Sequence, residues 1–436
     1  MSKPKTPIHR RRFLQTAAAA GAAAMAPTII PSSALGLDGA VAPSERIVLG
    51  GIGIGNRGTY DLGCFLDQPD VQFIAVCDIK QARREAVKKT ADKRYGNSDC
   101  RTYRDFRELL DQNDIDSVLI ATGPNWHATA AMNAARAGKD IYCEKPCTKN
   151  ISQSLILAET MRRTGRVFQA GTQRRNLPHF AFACELARTG KLGKLKKVHA
   201  HPAGMTARMS GWLPAETEPP KEVIDWDMYL GPASWRPFNA KLLDGFNFEK
   251  GGGFIAGDVR TDRVGGGVLE WGSHCVDLCQ WAIGDAMIPT EYDPPKDGQM
   301  VSRYPNGVEL ILRETGWLPL GSCPVRFEGE HGWVEAGDSG KLVLSSPELM
   351  AGRQVAEIGG YPATFHVRDF LDCVKTRSRP KGNADAACNA HIVCHAANIA
   401  LALDRTVKYD PVKHEFIGDE QANRLRSEAL REPWRL

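Results

Sequence analysis

None of the twelve cysteines in this 436-residue chain stands in a Cys-x-x-Cys pair, which excludes a thioredoxin-like redox motif and the common zinc knuckles. No long apolar run comes after the N-terminal segment, so no stable membrane span is expected. Internal repeats and low-complexity tracts are missing from the same stretch. The first 34 residues hold no acid, and Lys3, Lys5, Arg10, Arg11 and Arg12 there equal the whole formal net charge of +5. The remaining chain is close to neutral, so its charge makes no case for nucleic-acid binding.

Residues 1–34 read as a Tat export signal. His9-Arg10-Arg11-Arg12-Phe13-Leu14-Gln15 carries the twin arginines, and Thr16 to Ala26 is an alanine-rich segment too short to span a bilayer. Ser32-Ser33-Ala34 offers small residues for cleavage after Ala34, ahead of a periplasmic or extracellular protein. A Tat substrate folds in the reducing cytoplasm, so most thiols should be free and buried, Cys77 and Cys143 in strands and Cys275, Cys279 and Cys394 in helices. One or two bridges stay open.

The strongest local pattern is Arg46 to Gly58. An apolar run ends in Gly53-x-Gly55-x-x-Gly58, which turns a buried strand into a helix whose free N–H groups suit a pyrophosphate. With 42 glycines in the chain the spacing alone is weak, and a strand–helix turn without ligand is the competing reading. Context strengthens it: a second apolar run, Val71 to Cys77, ends in Asp78, twenty residues past Gly58, where a carboxylate meets a ribose 2′-hydroxyl. Asp78 favours NAD. Arg83 and Arg84 could receive a phosphate and leave NADP open.

Strand and helix then alternate: a charged helix from Lys80 to Lys93, a strand Asp116–Ile120, a helix Ala128–Ala137 and a strand Asp140–Cys143. This spacing predicts a parallel, doubly wound sheet, with Thr122, Asn125 and His127 after one strand and Glu144-Lys145-Pro146 after the next. Lys145 at a strand's carboxyl end should enter the crevice, although a solvated surface lysine is the commoner outcome.

Together, the glycine turn, Thr122-Gly-Pro-Asn125-x-His127 and Ala137-Gly-Lys-Asp-Ile-Tyr-Cys-Glu144-Lys145-Pro146 resemble the glucose-fructose oxidoreductase/inositol dehydrogenase (Gfo/Idh/MocA) family. The resemblance implies an α/β protein: a Rossmann domain, here residues 44–150, then a substrate-binding and oligomerisation domain, 151–436, with a large, open-faced, mainly antiparallel sheet. It implies a nicotinamide cofactor, sugar or polyol substrates and assembly into homo-oligomers. It makes Lys145 the catalytic lysine and Glu144 a cofactor-side neighbour. Gly53, Gly55, Asn56, Arg57, Gly58, Asp78, Thr122, Asn125, His127, Glu144, Lys145 and Gln173 form the expected cofactor set.

In the second domain, a helix over 151–165 leads to Gln173 and Arg174, which resemble the family's cleft-lining segment; a solvated turn is the alternative. His199 and His201 share a strand face at period two, but no third ligand is apparent and no metal is expected. Trp212, Trp226 and Trp235 lie in a long irregular stretch and could stack on sugar faces or pack in the core. Glu270 and His274 are four apart where helical spacing begins, with His274 expected in the first helical turn and Glu270 near enough to orient it. The family carries a histidine base and, commonly, Asp at these places, so Glu270 departs by one methylene. A core or capping histidine is the plain alternative.

These residues admit three functions. The first is an exported sugar, polyol or glycoside oxidoreductase that retains its cofactor, with His274 as base and Lys145 polarising the substrate oxygen. The second uses transient oxidation for glycoside cleavage or epimerisation. The third is a non-catalytic nucleotide- and sugar-binding protein.

Overall fold

The structure, a computed structural model, describes residues 41–202, 204–205, 207–209, 213–243, 263–314 and 320–436. The export segment and Trp212 lie outside the described residues. The chain divides into Met1–Arg46 and a compact unit, Ile47–Leu436. Both large sheets belong to this second unit.

Six parallel strands form its first sheet: β1 Ile47–Ile52, β2 Val71–Cys77, β3 Arg101–Tyr103, β4 Ser117–Ile120, β5 Asp140–Cys143 and β6 Phe168–Ala170, in the order β3-β2-β1-β4-β5-β6. Every residue of β4 and β5 is buried, as a parallel sheet covered on both faces requires. The order reverses beside β1, placing a crevice at the carboxyl ends of β1 and β4. The helices between are α1 Asn56–Leu66, α2 Gln81–Tyr95, α3 Phe106–Leu110 and α4 Pro124–Arg136. α4 starts four residues before the expected Ala128. Pro124 sits at its first helical position behind Gly123, a start that needs no N–H, so Asn125 and His127 ride on the first turn instead of a loop.

The first sheet does not end at residue 150. Helix α5, Ile151–Thr164, is capped by Asn150, whose side chain accepts from Gln153 N, and ends at Gly165 with φ 64°. It returns the chain to add β6. The C-terminal half comes back too: Phe370 packs edge-on against Phe65 and Tyr142, and Trp434 against Trp126 at 4.6 Å. Burial of these rings joins the halves around shared apolar clusters.

The second sheet comprises β7 Leu195–Ala200, β10 Glu291–Tyr292, β11 Gln299–Arg303, β12 Glu309–Arg313, β13 Val325–Gly329, β14 Trp333–Ala336, β15 Leu342–Leu344, β16 Val407–Asp410 and β17 Glu415–Phe416, after a separate small pair, β8 Ala207–Met209 with β9 Arg263–Gly266. Its pairings are antiparallel except β7 with β12. Val198, Leu310, Leu312, Val325 and Phe327 face a core built with helices α6 Pro178–Arg188, α8 Val268–Ile283 and α10 Ala384–Leu403; α7 Trp226–Leu230, α9 Thr364–Thr376 and α11 Glu420–Arg424 complete the helices among the described residues. The alternate positions carry charge. Arg326 pairs with Glu328 and Glu335, and His199 accepts from Arg313 while its Nε2 lies 3.4 Å from Glu328. His201 bonds the Arg313 carbonyl. Among the described residues no group of three or more His, Cys, Asp or Glu is arranged to hold a metal.

All twelve cysteines are free and buried. Among the described residues one helix, α10, is long and apolar enough to cross a membrane by length and composition, but 72% of that window is buried within the protein.

Candidate active site

The glycine turn is built by steric necessity. Gly53 has φ 69°, and a Cβ there would lie 2.3 Å from Thr122 Cγ2 and 2.7 Å from Thr122 Cα. A Cβ on Gly55 would meet nothing within 4 Å among the described residues. Gly58 faces the other way: its Cβ would collide with Ala121 at 2.8 Å, so it lets α1 close onto the end of β4 and is the one expected cofactor residue that does not line the cleft.

The cleft itself is about 1140 Å³, and Gly53, Gly55, Asn56, Arg57, Asp78, Thr122, Asn125, His127, Glu144, Lys145, Gln173, Glu270 and His274 all line it. Residues separated by more than two hundred positions are thus brought together by the sheet ends and α8.

At its dinucleotide end, α1 begins behind Gly55 with no side-chain cap. Asp78 accepts the Lys80 N–H at Oδ1, while Oδ2 has no donor among the described residues. Arg84 is committed to the Asp78 carbonyl, and Arg83 holds Asn56 Oδ1 at 2.8 Å. Asn125 ties α4 to α7 by donating to the carbonyls of Tyr229 and Leu230. His127 uses Nδ1 on the Pro146 carbonyl, 2.8 Å away, fixing the turn that carries Lys145; burial lowers its pKa and keeps it neutral.

Glu144 is the hub beneath the cleft. Gln173 Nε2 donates to its Oε1 at 2.7 Å and to Tyr142 OH, Lys145 N donates to Oε2, and Arg57 Nε stands 3.4 Å from Oε1. Arg57 Nη2 is also 2.8 Å from Asp61 Oδ1, outside hydrogen-bond geometry. Burial opposes the charge of Glu144, but Arg57 and Lys145 outweigh it and hold its carboxyl low. Burial and the Glu144 charge push Asp61 well above the usual range.

Lys145 Nζ donates to the Glu270 carbonyl at 3.2 Å and lies 5.7 Å from the Trp271 ring centroid. Burial lowers its pKa, against the carboxylates of Glu270 and Glu144. His274 lies in the second turn of α8, not the first. Gly267, at φ 78°, starts the helix at Val268, so Glu270 takes the first turn. Burial, then Arg174 and Lys145, hold the His274 pKa well below its ordinary value. Its Nδ1 is buried without a hydrogen bond among the described residues, so Glu270 does not orient the ring through that atom; the Glu270 charge acts on Lys145.

Trp271, Tyr361 and Arg174 line the same cleft beside Lys145 and His274. Trp271 stands inside the Glu270–His274 motif, one residue past the carboxylate, and that adjacency is the only sequence signal for it. Tyr361 comes from a loop with no pattern of its own. Trp226 is buried and stacks on Tyr229, whereas Trp235 is exposed away from the cleft.

The chain matches an oxidoreductase family, NAD-binding Rossmann fold, over residues 47–172, its C-terminal alpha/beta domain over 204–436, and a TAT pathway signal sequence over 7–27. An alpha-N-acetylgalactosaminidase of Shewanella oneidensis is 33% identical over 174 residues, covering 36% of this chain and 38% of that relative's length. The aldose-aldose oxidoreductase of Caulobacter crescentus, complexed with glycerol, superposes with a TM-score of 0.58 at 19% identity, over 83% of this chain and 99% of that one. GenD2 from gentamicin A biosynthesis, in complex with NAD, superposes with a TM-score of 0.59 at 18% identity, over 88% of this chain and all of that one, 100%.

Proposed function

The chain belongs to the Gfo/Idh/MocA oxidoreductase family, and from that premise we propose that it is an exported enzyme, periplasmic or extracellular, that oxidises a secondary alcohol of a sugar, polyol or glycoside. NAD fits the residues present: the Gly53 turn, the open approach at Gly55, the uncapped α1 N-terminus and the available Oδ2 of Asp78. When bound, NAD supplies the hydride acceptor. The observation that carries the reading is the meeting of Lys145, His274 and Trp271 in the cleft that begins at this turn.

The chain's own groups divide the remaining work. His274, kept neutral by burial and nearby cations, takes the substrate hydroxyl proton. Lys145, anchored on the Glu270 carbonyl, donates to the same oxygen and stabilises negative charge as it develops. Glu144, locked by Gln173 and Arg57, fixes the backbone that presents Lys145. Trp271 offers an apolar face for a sugar ring. A compartment without a free nicotinamide pool favours a cofactor retained between turnovers. Assembly through the sheet face that carries Arg313, Arg326 and Glu328 belongs to the same proposal.

The name of the Shewanella relative favours a second reading on the same atoms, redox-neutral glycoside cleavage or epimerisation, in which the substrate is oxidised only transiently and His274 and Lys145 move protons on it. One experiment separates the readings. Protein purified without added cofactor is followed at the reduced-nicotinamide band while sugars and glycosides are added, alongside Lys145→Met and His274→Ala. A stable rise with a ketone product supports the oxidoreductase. Cleavage or epimerisation without a lasting rise supports the closed cycle. No bound nucleotide and no response leaves a binding protein.

A further inference from the structure

Arg174 and Arg175 are consecutive, and both are 1% exposed, but their hydrogen bonds are spent differently. Arg175 holds two carboxylates. Its Nε and Nη2 grip Asp277 at 2.6 and 2.9 Å, Nη2 also reaches Asp285 Oδ1 at 2.8 Å, and Nη1 meets Asp285 Oδ2 at 3.5 Å and the Lys381 carbonyl at 3.1 Å. Nothing on that guanidinium is left over.

Arg174 holds one carboxylate. Nε and Nη2 form the fork to Asp338 at 2.8 and 2.6 Å, and Asp338 Oδ2 is further fixed by Ser322 Oγ at 2.6 Å. The guanidinium lies 5.6 Å from the Trp271 ring centroid and 4.7 Å from that of Tyr361. Its Nη1 has no protein hydrogen bond among the described residues and is not among the sealed unpaired atoms. Arg174 lines the cleft beside Lys145, Trp271 and His274, so Nη1 opens there.

We propose that the cleft-facing edge of Arg174 is a carboxylate-binding subsite, and that the substrate is a sugar acid whose carboxylate takes the place Asp285 takes on Arg175. A hydroxyl could be met by an amide side chain without burying a cation. A planar guanidinium braced by Asp338 and two rings suits the two oxygens of a carboxylate, and its desolvation is already compensated by Asp338. Beside burial, the permanent charges acting most strongly on His274 are the cations Arg174, Lys145 and Arg57, which also favours an anionic substrate. This rests on the oxidoreductase reading only in taking the cleft as the substrate site.

The test is calorimetric binding of D-glucuronate and D-galacturonate, each against its uncharged amide, to the NAD-loaded full chain. Each acid should bind at least tenfold tighter than its amide, with the difference shrinking as salt is raised. Because a lone Arg174 change would strand Asp338, the variant is Arg174→Gln with Asp338→Asn, checked for retained NAD and an unchanged unfolding profile. It should bind acid and amide alike. Arg174→Lys, which keeps the charge and loses the fork, is a second variant and should keep part of the preference. Equal affinity for acid and amide in the wild type, no binding of either acid, or a preference that survives the double variant overturns the proposal. Absorbance at the reduced-nicotinamide band is read in parallel. Chemistry on neutral sugars without acid preference sinks this subsite and leaves the oxidoreductase standing. Acid preference without chemistry does the reverse.

Discussion

The carboxylate of Glu144 fills the space in which Gly171 would carry a side chain: a Cβ at 171 would lie 2.3 Å from Oε1 and 2.6 Å from the carboxyl carbon. Gly171→Ala should therefore displace Glu144 from Gln173 and Lys145 N, destabilising the protein by about 1–3 kcal/mol and loosening the segment that presents Lys145. Urea unfolding and turnover measured together check this. Full stability would show that the loop after β6 gives way without disturbing Glu144.

Two glycines of the turn should separate stability from cofactor binding. Gly53→Ala meets strained backbone and Thr122, and should cost about 1–2 kcal/mol as well as NAD affinity. Gly55→Ala adds a methyl to open space, and should leave stability within about 0.5 kcal/mol while weakening NAD at least tenfold. Paired unfolding and NAD titrations read both. If Gly55→Ala binds NAD normally, the pyrophosphate does not approach this turn.

Both limbs of the pH–rate profile should be displaced to lower pH. His274 is held well below its ordinary value, so the acid limb of kcat/KM should fall below pH 6.5; Lys145 is lowered, so the alkaline limb should begin below pH 10.5. Lys145→Arg should move the alkaline limb upward. An acid limb above pH 6.5 would mean that His274 is not the base.

Stability should fall as pH drops from about 6.5 towards 4. Among the described residues, burial lowers the pKa of seven histidines, at positions 127, 179, 199, 274, 366, 391 and 414, with His199, His366 and His391 at about 4. In that window the unfolded chain binds protons that the folded chain refuses, so acid favours unfolding. Asp61, Asp78 and Asp277, pushed up by burial, bind protons in the fold and oppose the trend but are fewer. Urea midpoints across this range are the measurement. A flat profile would mean that the carboxyls balance the histidines.

Local chemistry is enough to read four strands of the first sheet, β1, β2, β4 and β5, but not the short β3. The run before Gly53, the carboxylate at 78, the alternation through Cys143 and the helix over 151–165 all depend on period and turn residues, which neighbours in sequence specify. The carboxyl ends of β1, β2, β4 and β5 had to hold Gly53, Asp78, Thr122 and Lys145, because parallel strands leave their ligands no other edge. The free, buried thiols are also as the sequence led one to expect. What sequence could not decide depends on distant partners. That Gly58 packs on Ala121, that Asn125 also braces α7, that Glu270 acts on Lys145, and that β6 and Trp434 return to the first sheet are results of burial between segments far apart in the chain. Arg174 and Arg175 are the same residue type side by side, and only the positions of Asp338, Asp277 and Asp285 leave one with an edge facing the cleft, because a guanidinium's role is set by which acceptors the fold brings to it.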